Sequence, residues 1–484
     1  MNKSFIRYVV CSVVGIESFF MLLTSLIALI YHESVFWAYF IPAVIFGSIG
    51  LFGYLKKPKK NVFYAREGFV SVALSWIAMS LIGCLPLYFS KEIPVFIDAL
   101  FETVSGFTTT GSTIINDVEI LSHACLFWRS FTHWIGGMGI LVFVLAILPM
   151  AGGYGIHIMR AESPGPSVGK LVPRLKQTAR ILYTIYFLIT FAQVICLLLC
   201  KMPLFDSIVL SMATAGTGGF GILNDSFCSY SSAVQVVTAI FMLLFGINFN
   251  VYYYLSIRRA KDAYECEEMH WYLGIIFVAT ALIAVNTLPY FTNGLDALKH
   301  AFFQVCTVIT TTGYASFDFN TWPMLSKIIM VVLMFCGACA GSTGGGFKVS
   351  RAVILLKDAH NSILSYIRPH SVKKIRFEHK AVDRELLDGI RSYLAIYVFV
   401  LLGSLILIGL DKMSFTASFT GVVSAMNNIG PGLEEIGPMF NYSIFSPFSK
   451  IVLMFDMLTG RLELIPMLIL FSPFTYRKAK KANA

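Results

Sequence analysis

Four short strings in the sequence combine glycine with small hydroxyl or amide side chains. They are Thr108-Thr109-Thr110-Gly111-Ser112, Gly216-Thr217-Gly218-Gly219-Phe220, Thr310-Thr311-Thr312-Gly313-Tyr314 and Asn427-Asn428-Ile429-Gly430-Pro431. Threonine and asparagine offer neutral oxygen acceptors. Glycine accepts backbone conformations closed to other residues, so successive carbonyls can turn to one side. Such a set suits a large, weakly hydrated monovalent cation better than calcium or magnesium, which prefer carboxylates. Each string closes a half-apolar stretch, about 95–107, 204–214, 297–309 and 415–426. Apolar stretches of about 10–14 residues are too short to cross a bilayer and fit re-entrant segments. Read as half-helices, they aim four carboxyl ends, each worth about −0.5 charge, toward the turns, which favours a cation.

The surroundings of the strings repeat. The aligned glycines, Gly111, Gly219, Gly313 and Gly430, are 108, 94 and 117 residues apart. Each lies between long apolar runs, so a unit of span, short helix, glycine turn and span is predicted four times. Composition agrees: 57% of the 484 residues are apolar and 13% charged, with mean hydropathy +0.73. Soluble proteins average about 25% charged residues, so a cytosolic enzyme, a disulfide scaffold and a disordered chain are excluded. Apolar runs centre near residues 20, 45, 78, 140, 190, 243, 280, 333, 400 and 458. The prediction is an all-α integral membrane protein with ten spanning helices. Residues 1–60 form two extra N-terminal helices. Four units follow at 61–160, 161–262, 263–378 and 379–484.

The net charge of +10 does not call for nucleic acid, because the basic residues cluster between apolar runs (Lys56 to Lys60, Arg258 to Lys261, Lys373 to Arg376, Lys478 to Lys481). With both termini placed inside, the outer loops and half-helices carry 13 acids and 7 bases, a net −6, and the rest of the chain +16. This is the distribution of a chain with its basic loops cytoplasmic. The outer acids, Glu102 among them, are expected to form a solvated vestibule. The ten cysteines have no framework or zinc spacing, and Cys336-Gly337-Ala338-Cys339 is read as small-residue packing.

The turns are similar to the filter loops of the Trk/Ktr potassium-uptake superfamily, and the likeness covers essentially the whole chain. The two extra N-terminal helices point to the Trk branch. The resemblance implies that Gly111, Gly219, Gly313 and Gly430 are filter glycines, lined by Thr109, Thr110, Thr217, Gly218, Thr311, Thr312, Asn428 and Ile429, with potassium as the ion at these residues. Sodium-permeable plant relatives carry serine at the first glycine; here all four are glycine. No turn carries the full TVGYG string of potassium channels, which suggests a less strict filter. The resemblance also implies a bacterial inner-membrane location in contact with lipid, a homodimer, and a cytosolic nucleotide-binding ring subunit of the TrkA kind. NAD or ATP would sit on that partner, and this chain would hold no cofactor. The basic stretches 157–180 and 357–380 are the expected docking surface.

Two further features are candidates for a gate. The apolar stretch about 323–356 is interrupted by Gly337, Gly341, Gly344, Gly345 and Gly346. That run is a poor helix, since each glycine costs about 1 kcal/mol against alanine. It is not a phosphate-binding loop, because Gly346-Phe347-Lys348 lacks the adjacent Gly-Lys-Ser/Thr. The family resemblance implies an intramembrane gating loop at 336–347. Arg461 is a charge inside an apolar stretch and so a functional candidate. It could instead pair with Glu463 or Asp456. The resemblance places it at the pore constriction as a barrier to cations. Lys348 is a weaker gate candidate, expected to mark a cytoplasmic helix end. His123 and His133 lack ligand partners at metal spacing, and the segment 133–139 reads as close helix packing. The alternative function is a secondary transporter for another cation or solute. Such proteins point half-helix amino ends at anionic groups. A membrane-embedded enzyme would need a catalytic cluster, and none is legible.

Overall fold

The structure is a computed structural model that describes residues 1–56, 65–139, 175–368 and 374–476. Within these residues six helices are long and apolar enough to cross a membrane: Lys3–Ile30, Phe36–Leu55, Arg66–Phe89, Ala179–Leu199, Glu267–Tyr290 and Arg384–Ile408. They fall at six of the ten expected positions. The other four expected spans, near 140, 243, 333 and 458, are those that follow the glycine turns. None of them is one straight long helix within the described residues. His123–Met138 ends at Gly139 with φ +80, and residues 140–174 lie outside the description. Ser232–Gly246 and Phe249–Ser256 meet at 88°. Met324–Cys336 stops at Gly337 with φ +68. Pro447–Arg461 stops before Glu463 and Leu464, both with positive φ. A chain-wide count of ten spans is therefore not given by these helices, and the sequence, which showed an interruption only near 337–346, under-read the breaks.

The starts of three of these four helices are written in the sequence. Ser122, Ser231 and Ser446 precede them and accept the backbone N–H three residues on, at 3.1, 3.4 and 3.3 Å. A serine oxygen there satisfies one of the four donors a helix start leaves open. The first two helices pack through glycines. A Cβ on Gly50 would lie 2.6 Å from the Gly15 Cα, and one on Gly53 would overlap the Cys11 side chain. Small residues permit that approach where lipid offers no hydrophobic drive.

Between the long helices lie four short ones: Phe96–Phe107, Leu204–Ala215, Gly294–Ile309 and Phe415–Asn427. Their last turns are buried almost completely. One feature departs from an all-helical expectation. Arg376–Phe377 pairs antiparallel with Lys380–Ala381 in a two-stranded ribbon.

Candidate functional site

Each short helix ends in the same backbone device. The N–H of Thr109, Thr217, Thr311 and Asn428 bonds the carbonyl three residues back, at 3.1, 2.9, 3.0 and 3.3 Å. The next N–H, of Thr110, Gly218, Thr312 and Ile429, reaches five residues back, at 2.9, 2.9, 2.8 and 3.0 Å. This is the left-handed helix cap that proteins usually build with glycine or asparagine. Here the left-handed residues are Thr109 (φ +56), Thr217 (+54), Thr311 (+59) and Asn428 (+55). A β-branched residue in that region is a genuine outlier. Strain of this kind costs about 1–3 kcal/mol per residue and persists where the surroundings and a function demand it. The repeated Thr-Thr-Thr-Gly gives repeated side-chain geometry: Thr108 and Thr310 donate to Val104 and Cys306 carbonyls at 2.7 and 2.6 Å, and share hydrogen bonds of 2.8 Å with Thr110 and Thr312.

Two residues beyond each left-handed cap stands a glycine with positive φ: Gly111 (+80), Gly219 (+86), Gly313 (+87) and Gly430 (+106). These glycines close a ring. A Cβ on Gly111 would overlap the Gly218 carbonyl, one on Gly219 the Thr312 carbonyl, and one on Gly313 the Ile429 carbonyl. One on Gly430 would come within 2.8 Å of the Thr110 carbonyl, so the fourth turn meets the first. The four turns thus surround one point, with four helix carboxyl ends directed to it. The segments leaving them line a cavity of about 110 Å³ onto which all four glycines open. Outside that cavity, the Thr109 hydroxyl and the Asn428 side-chain oxygen are buried without a hydrogen-bond partner among the described residues, the latter facing Gly345 and Gly460. Unpaired buried oxygens are costly.

Charged and aromatic groups behind the turns hold them. Glu102, expected among solvated acids, is buried, and so is Arg129. Arg129 Nε donates to Glu102 at 2.8 Å, and the same carboxylate accepts the Thr113 hydroxyl at 3.0 Å and the Ile114 N–H at 3.0 Å. Arg129 also donates to the Gly221 carbonyl and lies over the Phe220 ring at 4.2 Å. One ion pair therefore ties the flank of the first turn to that of the second. His133 is wedged between the same two turns. Its Nδ1 donates to the Gly106 carbonyl at 2.7 Å, and its Nε2 accepts the Phe220 N–H at 3.3 Å. Those two partners fix a neutral imidazole with the proton on Nδ1. Sequence reading treated His133 as packing. The missed signal is its place at the far end of the glycine-rich segment 133–139.

The glycine-rich interruption lies directly against the ring. Gly345 N–H donates to the Thr311 hydroxyl at 2.7 Å. A Cβ on Gly345 would be 2.8 Å from the Asn427 carbonyl, and one on Gly344 3.0 Å from that of Thr310. Gly337, Gly341 and Gly346 have φ of +68, +71 and +79. Arg461 donates to the Thr343 carbonyl at 3.0 Å, to that of Gly137 at 2.7 Å and to that of Gly136. It thus joins the interruption to the helix behind the first turn. Its suggested alternative partners are engaged elsewhere: Glu463 with Arg351 at 2.7 Å, Asp456 with the Ser404 hydroxyl at 2.7 Å. Lys348 stands at a helix end, directly before Val349–Ile367, but that end is not open to solvent. It is buried, φ is +79, and its ammonium donates to the Gly344 carbonyl. Sequence reading missed Glu268. Its buried carboxylate accepts the N–H of Ala340 at 2.7 Å and of Ser350 at 3.1 Å, closing the two limbs of the interruption. Its neighbour Glu267 accepts from Lys357 and from the Glu378 N–H at 3.1 Å. Of the expected docking stretches, 157–174 and 369–373 lie outside the described residues.

A helical membrane chain with four helix carboxyl ends converging on a carbonyl ring belongs to the class of cation-transport proteins. Sequence comparison agrees: the chain belongs to the TrkH family, described as cation transport proteins, whose model matches residues 32–277 and 273–477. It is 34% identical over 470 residues to the Trk system potassium uptake protein TrkH of Salmonella typhimurium, covering 95% of this chain and 96% of that one. It is 34% identical over 490 residues to the potassium uptake protein TrkG of Escherichia coli, covering 99% and 100%. The crystal structure of the potassium transporter TrkH from Vibrio parahaemolyticus superposes with a TM-score of 0.89 at 29% identity, over 99% of this chain and 100% of that one. These relatives are named as uptake proteins and a transporter, not as enzymes.

Proposed function

We propose that this chain takes up potassium by a channel-like path through the ring of four turns. The observation that carries the reading is the closed ring, in which strained left-handed caps and glycines set four rows of carbonyls around one point. Carbonyls replacing a hydration shell without fixed charge favour a monovalent ion. The residues Thr109, Thr110, Gly111, Thr217, Gly218, Gly219, Thr311, Thr312, Gly313, Asn428, Ile429 and Gly430 are assigned to the filter. The names of the relatives supply potassium as the ion. A membrane potential of about 100 mV is worth about 2.3 kcal/mol per charge, close to fifty-fold accumulation at about 1.4 kcal/mol per decade. No nucleotide hydrolysis in this chain is needed.

The same proposal places the protein in the bacterial inner membrane with ten spans in four fused units and both termini cytoplasmic. It works as a homodimer with a cytosolic ring subunit that binds NAD or ATP and biases a gate built from 336–347, Lys348 and Arg461. Current reversal potentials of the reconstituted protein under potassium, sodium and pH gradients test the reading. The expected potential follows the potassium gradient. One that follows protons or a second solute would favour the secondary transporter instead.

The gate assignment has its own test. Arg461→Ala removes a unit charge beside the glycine-rich interruption. Partner-free rubidium flux is expected to rise on the order of tenfold, because a charge within about 10 Å of the ion path at an effective dielectric of about 20 is worth more than 1.4 kcal/mol. Flux at or below that of the unsubstituted protein would remove Arg461 from the gate.

A further inference from the structure

The four turns share one backbone pattern, but their glycine carbonyls do not share one environment. Among the described residues, the carbonyls of Gly111, Gly219 and Gly313 accept no hydrogen bond, whereas the Gly430 carbonyl accepts three. The Tyr442 hydroxyl donates at 2.7 Å, the Ser424 hydroxyl at 2.8 Å and the Ser112 hydroxyl at 3.1 Å. Ser424 sits on the short helix behind the fourth turn, Ser112 on the neighbouring first turn, and Tyr442 on the segment that returns beside them. An oxygen reached from those three sides faces protein, not the centre of the ring. A carbonyl oxygen has two lone pairs, so three donors leave none for an ion. The backbone records the same difference: φ is +106 at Gly430 against +80 to +87 at the other three glycines.

We propose that the outermost level of the filter is a three-oxygen ring, with Gly430 withheld by Tyr442, Ser112 and Ser424, and that Tyr442 and Ser112 are positioning residues that lower selectivity between potassium and sodium. The proposal rests on the reading of the ring as a cation filter. A smaller ion is satisfied by fewer oxygens, and selectivity depends on the number and field strength of the carbonyls that surround the ion. A level with one side open to water discriminates less than a closed ring of four. The next level down, formed by the carbonyls of Thr110, Gly218, Thr312 and Ile429, is complete and keeps a basal preference for potassium.

The test is the potassium-to-sodium permeability ratio of the full-length reconstituted protein, taken from bi-ionic reversal potentials. In Ser112→Ala/Tyr442→Phe the Gly430 carbonyl keeps only the Ser424 donor and is released to turn a lone pair toward the ring. The ratio is expected to rise about fivefold, the step a net hydrogen bond makes in an equilibrium. Tyr442→Phe alone should give a smaller rise, and serves if the double variant is lost from the membrane. A ratio that is unchanged or falls in these variants overturns the proposal, because it means that the hydroxyls merely brace the fourth turn. An unsubstituted protein without cation-dependent current would sink the filter reading itself, a separate result read in the same experiment.

Discussion

Gly219→Ala is expected to cut rubidium flux through the reconstituted protein at least tenfold, while the protein still reaches the membrane. Two independent costs fall on the one methyl group. The backbone at Gly219 has φ +86, a conformation that charges an L-residue about 1–3 kcal/mol. The new Cβ would also overlap the Thr312 carbonyl. That oxygen belongs to the ring, so relief of the clash must rotate it or separate the second and third turns. Either change alters the ion's ligands directly. One decade of rate corresponds to about 1.4 kcal/mol, within the about 1–3 kcal/mol of the strain alone, and the clash adds to it. Gly403→Ala is the control. Nothing lies within 4 Å of a Cβ there, and alanine is favoured over glycine inside a helix by about 0.5–1 kcal/mol. Flux assays on equal amounts of monodisperse protein separate the two variants. Equal flux in both would mean that the second turn does not line the path.

The ring glycines were legible because their requirement is local. A residue that must hold positive φ beside a neighbouring turn's carbonyl is glycine for reasons the string itself displays, and Thr-Thr-Thr-Gly occurring twice made the register plain. The short helices were legible for a similar reason, since length against bilayer thickness is read from hydropathy alone. What the sequence hid depends on who stands next to whom. Glu102 and Arg129 are 27 positions apart and looked like two loop charges until the turn between them brought Thr113 and Ile114 onto the same carboxylate. Glu268 belongs to no motif in the sequence. Its role exists only because the interruption folds back and offers two N–H groups 72 and 82 positions away. The bent helices after the turns were hidden too. Ser232 to Ser256 is continuously apolar enough to read as one span, and only the packing of Gly246 beneath Tyr272 and Thr310 shows where it turns.

Glu102→Ala is expected to destabilise the protein by about 3–5 kcal/mol in denaturant titration, the cost of leaving a buried charge without its partner. The side chains of Arg129 and Glu102 are 2% and 0% exposed, so water cannot replace the lost carboxylate. The more informative variant is Glu102→Leu/Arg129→Met. Removing both charges together deletes the desolvation cost along with the attraction, and such exchanges are often neutral or better. Stability should therefore recover toward that of the unsubstituted protein, short by about 1–3 kcal/mol because the Ile114 N–H loses its acceptor. Ion discrimination should not recover with it. The pair is what binds Thr113 and Ile114, just past the first turn, to Gly221 and Phe220, just past the second. A leucine and a methionine fill that volume without fixing either flank. The double variant should be nearly as stable as the parent and less selective for potassium over sodium. A double variant that regains both properties would show that the ion pair holds the fold alone, and that the ring keeps its shape without it.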